Sequence, residues 1–126
     1  MTKKTSKKML KESDTRLKKD VLSNPHAKLE MSDLVFRKTL DTDAYNDLGR
    51  DDMFRWELPN VACMEDGEVV YHYVLITQFL DRPGGSIGGY QAYVDKAFPI
   101  GDSPTLEGAK RIIVDRVNKL RDIKRL

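Results

Sequence analysis

Cys63 and His72 are the first residues to weigh, because a thiol beside an imidazole can form a thiolate nucleophile. Between them lies Asp66-Gly67, which supplies the positive φ of a tight two-residue hairpin turn. With those two residues at its centre, position 63 faces position 70, and His72 becomes a near neighbour of the thiol. Nucleophilic catalysis also needs a group to orient the imidazole, an oxyanion site and a pocket. Strand residues beside a tight turn rarely provide these. Cys63 is therefore expected to pack as a small hydrophobe. One cysteine and two histidines are also too few for a zinc site.

Asp41, Asp43, Asp47 and Asp52 stand at positions 1, 3, 7 and 12 of a twelve-residue stretch, the frame of a calcium loop. Such a loop needs glycine at its sixth position and a bidentate glutamate at its last. Here Asn46 replaces the glycine, Tyr45 takes a ligand position, and Asp52 is shorter than glutamate. The stretch reads as a solvated acidic loop without metal. Asp81-Arg82-Pro83-Gly84-Gly85-Ser86-Ile87-Gly88-Gly89 has the bare backbone of an anion nest. It lacks the Gly-x-x-x-x-Gly-Lys-Ser/Thr pattern and does not open directly into a helix. It reads as a flexible strand connection, with Arg82 at its base as a partner contact. No catalytic set, metal or cofactor is expected, and the protein is not expected to be an enzyme.

Charge carries the strongest signal. Residues 1–20 hold eight Lys/Arg against three Asp/Glu, a net of +5. Residues 110–126 hold seven against two, again +5, while residues 21–109 hold seven against fifteen, a net of −8. Segregated charge speaks to partners more than the overall +2 does. Lys7, Lys8, Arg16, Lys18, Lys19, Lys110, Arg111, Arg121 and Arg125 are the candidate phosphate or nucleic-acid contacts. Trp56, Tyr71, Tyr73, Tyr90 and Tyr93 could stack bases, although Trp56 and one of each tyrosine pair are expected in the core. Tyr90 and Tyr93, with Arg82, are the candidate partner contacts.

These residues need a scaffold. At 126 residues and 40% hydrophobic, one domain with a modest core is expected. No apolar run nears the ~20 residues of a membrane helix. The start Met1-Thr2-Lys3-Lys4 has no apolar core of a secretory signal. The single cysteine excludes an internal disulfide and suits a reducing cytoplasm.

Residues 1–24 read as a flexible basic tail that includes a short helix from Ser13, and residues 25–126 as a single domain. Ala27 to Leu40 has helix-compatible apolar spacing. Asp41 to Asp52 reads as a loop or short helical turn. Phe54, Trp56 and Leu58 alternate with Arg55 and Glu57 as a strand that Pro59 stops. Val61–Met64 and Val69–Leu80 form a hairpin around Asp66-Gly67. The long second arm is apolar on both faces and so is expected to be central or to meet another subunit. Tyr90–Val94 is a further strand. In the last helix, Ser103 or Thr105 is the cap and Pro104 suits the first turn. Leu106, Ala109, Ile113, Val117 and Leu120 form its apolar stripe, with Ile112 and Ile123 beside it.

The fold class is therefore α+β: a mostly antiparallel sheet of about three to four strands, flanked by an N-terminal helix and a C-terminal amphipathic helix. The order helix–three strands–helix resembles that of double-stranded-RNA-binding domains. The strand Tyr90-Gln91-Ala92-Tyr93 and the helix Thr105-Leu106-Glu107-x-Ala109-Lys110 are similar to small three-strand-plus-helix DNA-binding modules, such as integrase arm-binding domains. The Gly-Lys-Lys helix start of the RNA-binding family is missing. Small accessory or inhibitory proteins of phages and mobile elements have the same general look.

Three functions follow as expectations. The first is a non-enzymatic accessory or inhibitory binding module on a larger protein or nucleoprotein machine. The second is direct nucleic-acid binding through the basic tail and last helix. The third is a homo-oligomeric structural component. No membrane partner is expected.

Overall fold

Each strand of this chain pairs with the next one in sequence. The computed structural model describes residues 21–95 and 98–121. A 3-10 turn, Met31–Asp33, leads into β1 (Arg37–Leu40) and α1 (Thr42–Leu48). β2 (Phe54–Glu65), β3 (Glu68–Leu80), β4 (Ile87–Val94) and β5 (Gly101–Ser103) follow, and α2 (Leu106–Leu120) ends the described fold. The strands form one antiparallel sheet in the order β1-β2-β3-β4-β5. The α+β class holds with five strands where three to four were expected. No described helix is long and apolar enough to cross a membrane.

The hairpin forms as its turn residues dictate. Asp66 (φ 52°) and Gly67 (φ 79°) take the two positive-φ positions between Glu65 and Glu68. Pro59 does not stop β2. A bulge between Leu58 and Val61 absorbs it, with Asn60 at φ 65°. β1 pairs only with Phe54–Glu57, so no ladder bond to β1 is lost at the proline.

The helix expected over Ala27–Leu40 is absent. Asp33 and Glu30 close a capping box around a single turn, and Leu29 and Leu34 then point into the core. Arg37–Leu40 pair with β2 instead, a case of tertiary pairing overriding local spacing. The acidic stretch forms a true helix, α1. Asp41 caps it by accepting from the Ala44 N–H, and Gly49 at φ 65° ends it.

α2 matches its expected signals. Thr105 is the cap and accepts from the Gly108 N–H, so Pro104 precedes the helix rather than entering its first turn. Ala109, Ile113, Val114 and Val117 are buried against one sheet face, with Trp56, Leu58, Val61, Cys63, Val74, Ile76 and Ala92. Tyr90 sits at the margin of this core, edge-on to Trp56 at 5.6 Å between ring centroids.

The end of α2 holds the start of the described chain. Asn118 exchanges two hydrogen bonds with the backbone of Leu29, at 2.8 and 3.0 Å. Arg121 is only 2% exposed and donates to the carbonyls of Ala62, Ala27 and Leu22, at 2.8–2.9 Å. Among the described residues no carboxylate forms an ion pair with it, and Asp33 acts on it only through its charge. Burial lowers its pKa, and the three carbonyl dipoles take the place of water.

Candidate functional site

Strand alternation sorts the sheet into two faces. α2 lies on one of them. By register, the other carries Arg55 and Glu57 on β2, Val69, Tyr71, Tyr73, Leu75, Thr77 and Phe79 on β3, and Gln91 and Tyr93 on β4. Leu75 is buried there, whereas Val69 (46%) and Tyr71 (56%) are widely exposed. Arg55 Nε lies 3.2 Å from Glu57 Oε1, off the line of a directed hydrogen bond. The Tyr73 phenol is raised by burial and by its hydrogen bond to Glu57. Tyr93 donates its hydroxyl to Gln91 Oε1 at 3.1 Å. Tyrosines with bound hydroxyls and restrained rings present rigid, amphipathic contact area.

This arrangement splits the expected partner contacts. Tyr90 and Tyr93 are three residues apart, so alternation sends them to opposite faces, and Tyr90 packs towards the core. Tyr93 stays on the outer face. Arg82 is exposed in the β3–β4 turn. That turn is tied at several points: Asp81 N–H donates to Ser86 O, Gly85 N–H to Arg82 O, and Arg50 Nη1 to Gly85 O. Two of the amides an anion nest would use are thereby engaged.

The expected phosphate contacts also divide. Lys7, Lys8, Arg16, Lys18, Lys19 and Arg125 lie outside the described residues, as do Ser13 and Ile123. Arg111 is exposed, and Lys110 pairs with Glu107 at 3.4 Å. Arg121 is withdrawn from that set, because its guanidinium is spent on three backbone carbonyls inside the fold.

Cys63 faces Val70 as its turn register requires, and it is fully buried. His72 pairs through Nδ1 with Asp95, whose other oxygen accepts from the Tyr73 N–H. The imidazole thus serves an aspartate at the end of β4 rather than the thiol. Burial pushes the Cys63 thiol up, the opposite of what a nucleophile needs. Of the four candidate calcium ligands, Asp41 is used as a helix cap and Asp52 by Arg50.

A thiol held protonated stabilises the fold fully below the ordinary thiol range, and this contribution is lost as pH rises through it. Tyr73 is shifted in the same direction. The urea midpoint is expected to fall above about pH 9. Cys63→Ala should lose part of that fall, and a wild-type midpoint flat to about pH 10.5 would contradict it.

Compared with protein families, curated proteins and solved structures, the chain shows no significant match.

Proposed function

We propose that the protein is a non-enzymatic binding module that docks on a larger protein or nucleoprotein assembly and acts there as an accessory or inhibitory component. The observation that carries this reading is the outer sheet face, where exposed Tyr71 and Val69 continue into Tyr73 and Tyr93. Tyrosine gives large contact area with few rotatable bonds, which keeps the entropic cost of docking low. The test uses the full chain as bait, with and without nuclease. A Tyr71→Ser/Tyr93→Ser variant should lose its captured partner while its circular dichroism is unchanged. Capture equal to wild type would overturn the reading.

One observation favours direct nucleic-acid contact as a second reading. Arg121 ties Leu22 to the end of α2, so the chain enters and leaves the described fold at one corner. The described chain therefore begins, at Val21 and Leu22, by the end of the helix bearing exposed Arg111, Arg116 and Lys119. Phosphate contact predicts affinity that falls with salt, by a log–log slope of about 0.9 per phosphate on duplex DNA. Absence of binding to duplex or single strand at ~50 mM salt would remove this reading.

A further inference from the structure

The distal half of the β2–β3 hairpin runs past its neighbours. β4 pairs with β3 only from Val74 to Leu80. Asp95 ends that pairing: its N–H donates to Tyr73 O at 2.7 Å, and its carboxylate accepts from Tyr73 N–H at 3.1 Å. From Glu68 to His72, β3 pairs with β2 alone. Alternate residues of a strand address opposite neighbours. Tyr73 addresses the β4 side, so Tyr71 and Val69 do as well, and among the described residues nothing meets their backbone groups there.

The other sheet edges are protected. β1 carries Arg37 and Lys38, with the Lys38 ammonium 4.4 Å over the Phe54 ring. β5 has three residues. On the edge of β2 beyond β1, Arg121 donates to Ala62 O. The open β3 edge has no lysine, proline or bulge. Its surroundings are acidic: Glu65, Asp66, Glu68 and Asp95 lie on or beside it, and no lysine or arginine occurs between Arg55 and Arg82.

We propose that the β3 edge at Glu68–His72 is a strand-addition site for an extended, lysine- or arginine-rich segment of a protein partner. The backbones of Val69 and Tyr71 supply the pairing, and the surrounding carboxylates select for positive charge. The inference rests on the binding-module reading and narrows it to one edge and one partner chemistry.

The test uses the full chain and a short peptide of alternating lysine and valine. Hydrogen exchange at the Val69 and Tyr71 amides should slow at least about tenfold on adding the peptide. A glutamate–valine peptide should give no protection. Methylating the backbone nitrogens on one edge of the lysine peptide should abolish the effect when that edge pairs with β3. Val69→Pro removes one outward N–H and spares the β2 ladder, so it should weaken binding about three- to tenfold. Should that variant fail to fold, the methylated peptides on wild-type protein still decide the matter. Slow exchange at both amides in the free protein, no protection by the lysine peptide, or equal binding of both singly edged methylated peptides would overturn the proposal. Partner capture that survives Val69→Pro but is lost in the tyrosine variant would sink this site and leave the outer-face reading standing.

Discussion

Arg121→Ala should be among the most damaging single substitutions in the described fold, lowering stability by about 3 kcal/mol or more. The side chain donates to three carbonyls from three parts of the chain, and it is almost wholly buried. Each carbonyl left dry and unpaired costs about 1–3 kcal/mol, offset where water enters. The substitution also removes one of the positive charges that complement the dipole at the C-terminal end of α2, where Lys119 remains. With a urea dependence of about 1–3 kcal/mol per molar, the denaturation midpoint should drop by at least about 1 M. Arg121→Lys should fall between the two, because one ammonium cannot span the planar fork. An unchanged midpoint for the alanine variant would show that the three contacts contribute nothing net.

Ile76→Ala is the second large expected effect, near the upper part of the 2–5 kcal/mol range for buried aliphatic truncation, at about 4 kcal/mol. Ile76 is fully buried at the sheet centre and pairs with Trp56 on one side and Ala92 on the other. Both neighbours are held by their own ladders, so the cavity cannot collapse. Ile113→Ala, equally buried on α2, makes the control. A helix can settle by a fraction of an ångström, and alanine gains about 0.5 kcal/mol of helix propensity over isoleucine. The sheet variant should therefore unfold at lower urea than the helix variant. The reverse order would contradict this account of a rigid sheet and a yielding helix.

The parts of the fold legible in the sequence were those whose causes are local. Asp66-Gly67 sets the turn and with it the pairing of Cys63 with Val70. Thr105 and the stripe through Ile113 and Val117 announce α2. β1 and β5 were not legible, because short edge strands exist through the neighbour they pair with, and Arg37–Leu40 carries no pattern of its own. Pro59 misled for a related reason. Its cost depends on whether a strand lies alongside, and β1 stops before it. In the candidate site, the alternation that sets Tyr71 and Tyr73 on one face was readable. The same parity separates Tyr90 from Tyr93, although their grouping as contacts ignored it. The open edge at Val69 and Tyr71 could not be read directly, because it depends on where β4 ends. The nearest signal was the lack of lysine and arginine from Trp56 to Asp81. The fate of Arg121 was hidden too, since a basic residue near a helix end looks solvent-facing until the backbone it serves has been placed.

The Arg121 contacts also bear on the order in which the chain folds. The meander joins strands that follow one another, so its contacts close short loops and form readily. The bond from Arg121 to Leu22 spans 99 residues, and together with the bond to Ala62 it requires both β2 and the last turn of α2 to be in place. It is expected to form after the rate-limiting step of folding, so Arg121→Ala should speed unfolding and leave the folding rate nearly unchanged in stopped-flow measurements. Interactions absent from that step act almost wholly on the unfolding rate. The arginine is therefore a latch on lifetime: it sets how long the finished molecule resists opening, and has little part in how quickly it assembles.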